Sequence, residues 1–389
     1  MNLWPYQEEG AAWLATKRGA LLADEMRLGK TPQAIVAADM IGARSVLVLC
    51  PAVARINWIR EFNKFSILSR PAAAIMSSGA PTCPNGVTVC SYDLAVRKEV
   101  LPRLLAIRPD VLICDESHYL KSTTAQRTAA VLGKNGLVHT ARRFWFLSGT
   151  PAPNYPSELW PLLHVLGVYP GKYDSFVRRF CTGFHDGREF KVTGGKNEAD
   201  LRRLMAPIVL RRRMKDVWKD MPELTFADVV VEPGEVDEET WFPDWRFNPH
   251  RKDDVAKQEA ILRAALSGAK GADAFKILEG LAGSTATLRR WTGLAKVEPA
   301  LELIKAELDA GLDKIVVFAV HRDVIRALVD GLRDYGAVSL FGGTPTAKRQ
   351  RNIDRFTTLP KYRVFIGNVQ AAGTAIDLSV ANNVIFVES

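Results

Sequence analysis

The 389-residue sequence contains no long apolar run, and none of its runs approaches the ~20 residues that a membrane-spanning helix needs. Its first residues, Met1 to Glu8, also lack the basic and then apolar pattern of a secretory signal peptide. From these absences we expect no membrane partner. We expect a location in the cytoplasm, as for a prokaryotic or viral protein, or in the nucleus.

Cysteine is scarce, with five residues in the chain, and no pair has the C-x-x-C spacing typical of zinc or redox sites. Three of the five stand at the ends of apolar, strand-like runs. We therefore predict that the cysteines are small buried hydrophobic residues rather than disulfide partners or zinc ligands.

An excess of negative charge is also absent. Lys and Arg number 52 against 43 Asp and Glu, which gives a formal net charge of +9. A basic balance is compatible with a polyanionic partner, although many basic proteins bind none. The hydrophobic content of 47% is ordinary for a globular chain, and the length allows about two or three domains.

Up to about residue 150, short apolar runs alternate with helix-like stretches. The hydrophobicity of these runs is continuous rather than alternating, which is typical of strands buried on both faces. The pattern predicts an α/β fold with a parallel sheet flanked by helices, whose ligands bind beyond the carboxyl ends of the strands. The candidate strands are Ala20–Ala23, Val46–Cys50, Ala73–Met76, Val87–Cys90, Val111–Cys114 and Phe144–Leu147.

The first of these runs leads into a candidate phosphate-binding loop. Gly29, Lys30 and Thr31 open a helix-like segment, and strand, loop and helix in this order are typical of such a loop. Backbone N–H groups would hold the phosphates, Lys30 would reach the β and γ phosphates, and Thr31 would bind Mg²⁺. The motif is imperfect because Asp24 stands where the general pattern has Gly, and a solvated turn is the alternative.

Two adjacent carboxylates, Asp115 and Glu116, directly follow the run Val111–Cys114. Such a pair at the end of a buried strand is costly to desolvate without a cationic partner. Downstream of a phosphate loop, the pair predicts that Asp115 holds Mg²⁺ and that Glu116 orients or deprotonates the attacking water. A helix cap built from the same residues is the alternative.

A turn formed by Ser148, Gly149 and Thr150 follows the run Phe144–Leu147. Taken alone, it is an ordinary turn. Its place after the acidic loop makes it a candidate for coupling the nucleotide site to another surface.

In their order along the chain, these segments resemble the motifs of helicase superfamily 2, in particular its SNF2 group of DNA-translocating ATPases. The phosphate loop of that group usually reads Asp-Glu-Met-Gly-Leu-Gly-Lys-Thr, so Asp24 is typical of the group. Arg27 departs from it, since Gly is usual there, and an Arg fits that position if its φ is negative. The matching segments are Tyr6-Gln7, Asp24–Thr31, Leu49–Ala52, Cys90–Tyr92, Asp115–His118 and Leu147–Pro151.

The resemblance implies a site for ATP and Mg²⁺ that extends beyond the phosphate loop. Gln7 would read the adenine edge, and Tyr6 would help to position it. The implied catalytic residues are Lys30, Asp115 and Glu116, and the implied metal ligands are Thr31 and Asp115. The implied nucleotide-binding residues are Tyr6, Gln7, Met26, Arg27, Leu28, Gly29, Lys30 and Thr31.

Later segments extend the resemblance to the rest of the chain. Leu210–Val217 with Met221-Pro222 is similar to the Arg-Arg-x-Lys-Asp-Val…Leu-Pro segment that ends the first SNF2 lobe, although an arginine run is otherwise a solvated face. Strand and helix patterns alternate again from about Thr292. Two RecA-like lobes with parallel sheets flanked by helices are implied, together with SNF2-type helical insertions.

The implied domains follow from these segments. Residues 1–222 would form the first, ATP-binding lobe, with a helical insertion at about 152–215. Residues 223–290 would form a linker and a helical protrusion, and residues 291–389 the second lobe. The group's Gln-x-x-x-Arg-x-x-Arg helix does not occur in the sequence. We therefore expect a second lobe that is incomplete at its C-terminus, and weak ATP hydrolysis unless more sequence follows.

The function that the resemblance implies is an ATP-dependent translocase or remodelling motor on double-stranded DNA, most similar to the annealing or fork-remodelling branch. The chain would act as a monomer and contact duplex or forked DNA mainly at phosphates, which carry no sequence information. Ser148, Gly149 and Thr150 would couple the two sites. The implied DNA contacts are Pro51, Arg55, Ser91, Tyr92, His321, Arg322, Asn368 and Gln370.

Two other functions stay open at this point. One is a non-catalytic DNA-binding or partner-binding module that keeps a nucleotide pocket as a switch. Arg27 and the missing helix favour it, whereas the intact Lys30, Asp115 and Glu116 oppose it. The other is a small-molecule kinase, which the second lobe opposes because such an enzyme needs only one.

Overall fold

The short apolar runs form parallel strands in two separate sheets. The structure is a computed structural model, and it describes residues 3–187, 190–218, 225–236, 289–342, 344–368, 376 and 378–388. The chain divides into two units, residues 1–224 and 225–389, each with its own sheet and core. The predicted α/β class, with parallel sheets flanked by helices, is confirmed.

The first unit contains a seven-stranded sheet in the order β3-β4-β2-β5-β6-β1-β9, and every neighbouring pair in it is parallel. All the carboxyl ends therefore lie at one edge of the sheet and all the amino ends at the other. The strands are β1 Gly19–Leu22, β2 Val46–Cys50, β3 Ala72–Ala74, β4 Val87–Ser91, β5 Val111–Cys114, β6 Arg143–Leu147 and β9 Val209–Leu210.

Helices cover both faces of this sheet, which is why its strands are continuously apolar. Val46, Val48 and Cys50 of β2 pack in one buried cluster, and the alternate residues Leu47 and Leu49 pack in another on the opposite face. The helices are α1 Pro5–Thr16, α2 Lys30–Met40, α3 Arg55–Phe65, α4 Tyr92–Ala95, α5 Leu101–Ile107 and α6 Gln126–Leu132. Short 3₁₀ turns lie at Ala52–Ala54, Ser117–Leu120, Leu137–His139 and Pro156–Leu159.

The region predicted as a helical insertion, about residues 152–215, contains strands as well as helices. Its helices are α7 Trp160–Val165, α8 Tyr173–Phe180 and α9 Glu198–Met205. An antiparallel hairpin, β7 Cys181–His185 with β8 Phe190–Gly195, lies between α8 and α9. The chain then returns as β9 to the main sheet and continues into α10, Met214–Val217.

The second unit contains a four-stranded parallel sheet in the order β11-β12-β10-β13. Residues 289–295 are helical, and a 3₁₀ turn lies at Arg333–Tyr335. The strands are β10 Ile315–Ala319, β11 Ala337–Leu340, β12 Val364–Asn368 and β13 Asn383–Phe386. The helices are α11 Val297–Asp309, α12 Arg322–Gly331 and α13 Thr346–Thr358.

Five of the six predicted strands match the observed bounds to within one residue at each end, but the prediction of Ala73–Met76 was wrong in length. The observed strand is Ala72–Ala74, and it lies at the edge of the sheet with its residues only half-buried. Hairpin β7–β8 and strand β9 were missed, because most hairpin residues are exposed and β9 has only two residues. In the described ranges, no helix is long and apolar enough to cross a membrane.

Candidate functional site

The loop between β1 and α2 lies at the carboxyl edge of the first sheet and ends at a helix N-terminus. Gly29 is the N-cap of α2 and has φ 72°, a left-handed conformation that favours glycine. A Cβ atom at this position would also lie 2.3 Å from Gln7 Nε2. Lys30 and Thr31 form the first turn of α2. The loop thus has the geometry in which backbone N–H groups and the helix dipole attract phosphate.

Gln7 ties helix α1 to this loop. Its Nε2 donates to the carbonyl oxygen of Leu28 and to the hydroxyl of Tyr6, both at 3.3 Å. Its Oε1 accepts the backbone N–H of Trp4 at 3.0 Å and so closes the first turn of α1. Gln7 therefore has an observed role in positioning the loop, and its contact with an adenine edge stays a prediction.

A buried ion pair holds the loop from its other side. The Asp24 side chain has no exposed surface, and its Oδ2 lies 2.6 Å from Nη2 of Arg212. The Asp24 Oδ1 accepts from the backbone N–H and from Nε of Arg212, at 3.0 and 3.1 Å. Arg212 lies two residues after the end of β9. The ion pair therefore connects the segment that follows the insertion to the phosphate loop.

Arg212 also makes three contacts with two other residues of the site, Tyr6 and Gln33. Its guanidinium donates to the carbonyl oxygen of Tyr6 and to Oε1 of Gln33 at 2.7 Å, and it lies over the Tyr6 ring at 5.3 Å. Gln33 Nε2 in turn donates to Asp24 Oδ2 and to the carbonyl oxygens of Leu28 and Gly29, at 3.1 to 3.2 Å. One network of charge-assisted hydrogen bonds therefore fixes both ends of the loop.

The two predicted carboxylates lie at the same edge of the sheet, after β5. Asp115 is half-buried and accepts Nε1–H of Trp58 at 2.9 Å and the backbone N–H of Glu116 at 3.0 Å. Burial, together with the neighbouring Glu116 carboxylate, raises the pKa of Asp115 from 3.8 to about 6. A buried carboxylate with a raised pKa lacks sufficient positive charge around it.

The positive charge of Lys30 is also poorly compensated by its surroundings. Its Nζ donates to the carbonyl oxygens of Asp24 and Glu25 at 3.0 and 3.3 Å. Burial lowers the pKa of Lys30, and the nearby Glu116 and Asp115 carboxylates only partly offset this. Because both signs of charge are poorly compensated here, the site fits a ligand that brings anionic phosphate to Lys30 and a divalent cation to Asp115.

A magnesium ion held by the protein and by phosphate oxygens agrees with this donor set. Among the described residues, no group of three or more His, Cys, Asp or Glu side chains could form a metal cage. Mg²⁺ commonly uses one or two carboxylates and completes its shell with phosphates and water. That Asp115 and the Thr31 hydroxyl are the protein ligands of such a site stays a prediction.

The second carboxylate is linked to the predicted coupling turn. Glu116 has φ 48°, and its Oε2 lies 3.2 Å from Nδ1 of His118. The same His118 nitrogen lies 3.2 Å from the buried hydroxyl of Ser148, which accepts the backbone N–H of Thr150 at 3.2 Å. Sequence reasoning included His118 only as part of a motif, and the structure gives it the central position in this chain.

The same turn packs against the phosphate loop. A Cβ atom on Gly149 would lie 3.0 Å from Cγ of Met26, 3.2 Å from the Met26 backbone nitrogen and 3.5 Å from Lys30 Nζ. Only a residue without a side chain fits this approach comfortably. The structure therefore brings Ser148, Gly149 and Thr150 into contact with both the acidic loop and the phosphate loop.

Arg27 adopts a conformation that the sequence did not predict. An arginine fits this position without strain if its φ is negative, but the observed φ is 67°. A non-glycine residue in the left-handed region is strained by roughly 1–2 kcal/mol because its Cβ approaches the following carbonyl oxygen. The Arg27 side chain is exposed. The loop therefore holds residue 27 in a conformation that favours glycine, and the arginine adds an exposed guanidinium to it.

The four DNA contacts predicted in the first unit are all buried. Arg55 donates from Nη1 to the carbonyl oxygen of Ile75 at 2.6 Å and from Nε to that of Ala52 at 3.0 Å. Pro51 and Ser91 are likewise buried. Their side chains present little exposed surface to a phosphate in this structure. Contacts from the backbone N–H groups of these loops stay a prediction.

Tyr92, the fourth of these residues, supports the acidic loop instead. Its hydroxyl donates to the carbonyl oxygen of Asp115 at 2.7 Å, and its ring stacks on Tyr119 at 5.5 Å. The motif around Tyr92 predicted a contact with DNA, whereas in the structure its side chain packs against the loop that carries Asp115 and Glu116.

Three DNA contacts predicted in the second unit lie close together at the carboxyl ends of β10 and β12. Asn368 Nδ2 donates to the carbonyl oxygen of Val320 at 2.7 Å. The Glu388 carboxylate accepts the backbone N–H groups of Val320 and His321, at 2.8 and 2.9 Å, and lies 2.5 Å from His321 Nδ1. Arg322 is exposed at the start of α12. The predicted contact Gln370 lies outside the described residues.

Comparison with protein families and with curated proteins gives one consistent result. A model of the SNF2-related domain matches residues 6–278. The DNA annealing helicase and endonuclease ZRANB3 of Mus musculus is 28% identical over 407 residues, which include all of this chain and 36% of that protein. The SWI/SNF-related matrix-associated actin-dependent regulator of chromatin subfamily A-like protein 1 of Xenopus tropicalis is 29% identical over 398 residues, all of this chain and 39% of that protein.

The chain therefore spans between about a third and two fifths of the length of these curated relatives. Among solved structures, the Sulfolobus solfataricus SWI2/SNF2 ATPase core in complex with dsDNA is similar to all of this chain and to 82% of that one. The sequence identity is 21% and the TM-score 0.49.

The first prediction concerns the strained Arg27. We expect Arg27→Gly to raise the free energy of unfolding by about 1 kcal/mol, because glycine adopts positive φ without a Cβ clash. Arg108→Gly is the matched control, since Arg108 also has positive φ, 46°, but lies at the end of α5 outside the site. Urea unfolding should show a gain for both variants, and calorimetric titration with ADP should show a change for Arg27→Gly alone. Equal or lower stability of Arg27→Gly would contradict the inferred strain.

A second prediction concerns the Asp24–Arg212 pair. Arg212→Ala should lower the free energy of unfolding by about 3–5 kcal/mol, because it leaves a buried carboxylate without a partner. The double variant Asp24→Asn/Arg212→Met should recover at least half of this loss, since both charges are gone. Arg211→Ala, at the exposed neighbouring position, should change stability by less than about 0.5 kcal/mol. Urea unfolding of the four proteins decides the matter, and a double variant as unstable as Arg212→Ala would refute the account.

A third prediction concerns pH. The folded pKa of Asp115, about 6, lies above its ordinary value of 3.8, so the folded state keeps the proton longer than the unfolded chain does. The free energy of unfolding should therefore fall by roughly 3 kcal/mol through this group as pH rises from 4 to above 6. Asp115→Asn should remove this dependence and so exceed wild-type stability at pH 8 but not at pH 3.5. The exposed control Asp93→Asn should follow the wild-type pH curve, and identical curves for all three proteins would contradict the assignment.

Proposed function

The chain belongs to the SNF2-related domain family, and from this premise we propose that it is the core of an ATP-dependent motor that translocates on double-stranded DNA or remodels it. The observation that carries the proposal is the meeting of three loops at one edge of the first sheet. Lys30, the Asp115–Glu116 pair and the Ser148–Thr150 turn lie together there, as nucleotide hydrolysis coupled to movement requires.

The nucleotide site uses the residues of the phosphate loop. The N-terminus of α2 and its backbone N–H groups bind phosphate oxygens, and Lys30 neutralises part of their charge. The lowered pKa of Lys30 shows how poorly this ammonium is compensated without an anion. Gln7 and Tyr6 hold the loop to α1 and are placed to border the base.

Asp115 and Thr31 would hold Mg²⁺. When bound, this ion polarises the phosphates and neutralises charge that develops during transfer. Asp115 must be ionised to ligate it, and its raised pKa means that the cation supplies the compensation that the protein lacks.

Glu116 positions and activates water. Its carboxylate lies at the carboxyl edge beside Lys30, and His118 holds one of its oxygens at 3.2 Å. A carboxylate in this place accepts a proton from water as it attacks. His118 then links that carboxylate to Ser148, and through it to the turn that packs on Met26.

That link supports coupling between nucleotide and DNA. Ser148, Gly149 and Thr150 contact both halves of the nucleotide site, so a change at either half alters the packing of the turn. We propose that loss of the γ phosphate moves this turn and the loops beside it. Order-to-disorder and hinge changes driven by a γ phosphate are a known type of switch.

DNA is the proposed partner. The chain carries a net charge of +9, and its relative ZRANB3 is named a DNA annealing helicase. Phosphate contacts suit a motor because they are independent of sequence. In the second unit, Arg322 is exposed beside the His321–Glu388 pair and offers one such contact. The annealing or fork-remodelling activity of this branch is proposed for the chain on the same ground, whereas the endonuclease named in that relative is not.

The second candidate is a nucleotide-switched binding module. Arg27 favours it, because a left-handed arginine and its charge beside the phosphates favour retention of an anion over rapid release. The intact Lys30, Asp115 and Glu116 favour the motor. ATP binding without turnover would select the switch.

The fourth prediction tests the motor directly. In the intact protein, Lys30→Ala and Glu116→Gln should each reduce DNA-stimulated ATP hydrolysis by at least about 100-fold, because one removes the phosphate contact and the other the base. ATPase rates titrated with single-stranded, duplex and forked DNA also reveal the preferred substrate. Lys134→Ala and Glu99→Gln, at exposed positions, are the matched controls and should retain wild-type rates.

Two outcomes separate the candidates. Wild-type turnover in Lys30→Ala or Glu116→Gln would rule out the assigned roles. The wild-type protein could instead bind ATP tightly and show no turnover on any DNA, even when flanking sequence is present. That result would favour the nucleotide-switched binding module over the motor.

A further inference from the structure

An open cleft lies at the amino edge of the first sheet, opposite the phosphate loop. Its volume is about 770 Å³. It is formed where four adjacent strands begin, since Arg18 precedes β1, Arg44 precedes β2, Asp110 precedes β5 and Arg142 precedes β6. These strands are neighbours in the order β2-β5-β6-β1. The sheet therefore brings side chains that are distant in sequence to the same edge. Residues 18 and 142, for example, are 124 residues apart.

The cleft is strongly basic. Four arginines line it, Arg18, Arg44, Arg142 and Arg143, and among the lining residues that the structure describes Asp110 is the single carboxylate. Both oxygens of Asp110 are engaged: Oδ2 accepts the backbone N–H groups of Arg44 and Ser45, at 2.8 and 3.1 Å, and Oδ1 lies 3.3 Å from Nη1 of Arg142. Asp110 thus shapes the loop before β2 and offsets only one of the four positive charges.

Three of the four arginines are available to a ligand. Arg143 is the fixed one, because its Nη1 donates to the carbonyl oxygens of Ala15 and Lys17 at 2.8 and 3.0 Å. Arg18 and Arg44 are exposed, and the side chain of Arg142 is 82% exposed. An ion pair as exposed as Arg142–Asp110 contributes little, so an anion of higher charge density can replace it.

The lining indicates recognition of phosphate rather than of a base. None of the described residues that line the cleft is aromatic, so it offers no ring on which a nucleobase could stack. Guanidinium groups match phosphate geometry with paired N–H donors. Four adjacent strands spaced by ~4.8 Å span about 14 Å, and one strand of a B-form duplex has a phosphate every ~3.4 Å of helix axis, so the cleft is long enough for more than one phosphate.

We propose that this cleft is a second nucleic-acid site, which binds the phosphate backbone of a strand independently of the nucleotide. The proposed DNA motor supports the choice of nucleic acid as partner, and the cleft itself supports the phosphate chemistry. Because it lies at the opposite edge of the sheet, it can hold a strand while the carboxyl edge changes shape. A site separate from the DNA contacts of the proposed motor would let the protein hold a second strand or a second arm of a fork, as annealing requires.

The fifth prediction tests this site without ATP. Arg44→Glu/Arg142→Glu should weaken binding of a labelled 30-nucleotide oligothymidine and of a 30-base-pair duplex by at least tenfold in fluorescence anisotropy. The slope of log K against log salt should fall by about 2, because two phosphate contacts are lost. The control Lys172→Glu/Arg178→Glu makes the same charge change at exposed positions in and beside α8. Equal affinity and slope in the two double variants would overturn the proposal.

A single variant protects the test from misfolding. The Arg18 side chain is exposed, and its backbone carbonyl oxygen accepts the N–H of Phe144 whichever side chain is present, so Arg18→Glu should keep the wild-type melting temperature and still weaken oligothymidine binding about threefold or more. Inorganic tripolyphosphate identifies the other source of the same chemistry. If it binds the wild-type cleft at micromolar concentration while no variant affects oligonucleotide binding, the site takes small anions and the proposal is wrong.

Failure of this inference differs from failure of the proposed motor. The binding measurement contains no nucleotide, so it stands if Lys30→Ala retains turnover and the motor assignment is lost. Conversely, normal DNA binding by the cleft variants refutes the second site and leaves the ATPase test unaffected.

Discussion

The site depends on one buried charge. The Asp24 carboxylate has no exposed surface, and removing a carboxylate from water costs several kcal/mol unless a cation accompanies it. Arg212, 188 residues later, supplies that cation and also holds Tyr6 and Gln33. Helix α1, the phosphate loop and the strand that leaves the insertion therefore have to assemble together. The shape of the loop is a consequence of this pairing as much as of its own glycine.

Within the candidate nucleotide site that this ion pair holds together, two charged side chains lack sufficient opposite charge. Asp115 lacks positive charge and Lys30 lacks negative charge, although both lie at the same sheet edge. In the proposed motor, a phosphate chain with a divalent cation would supply both. The contacts from Glu116 through His118 to Ser148 would then link that ligand to the packing of the Ser148–Thr150 turn. In the same loop, Arg27 adopts a left-handed conformation although it carries a Cβ atom.

Much of the fold was predictable, because a strand buried on both faces must be apolar throughout and such runs are easily recognised. Lys30, Asp115 and Glu116 could be found for a related reason: their chemistry is tied to fixed places after a strand. Arg55 and Tyr92 were assigned to DNA by their motifs, yet their side chains satisfy the carbonyl oxygens of Ile75 and Asp115. A motif gives the position of a residue but not the direction of its side chain.

The parallel α/β framework and the candidate residues of the nucleotide site can be derived from the sequence alone, since hydrophobic runs and short motifs are local properties. Which distant charges meet is known from the folded structure. Asp24 pairs with Arg212, His118 bridges Glu116 and Ser148, and Arg18, Arg44 and Arg142 gather at the opposite edge. The physical reason is that strand order, which local sequence does not encode, sets which loop ends become neighbours.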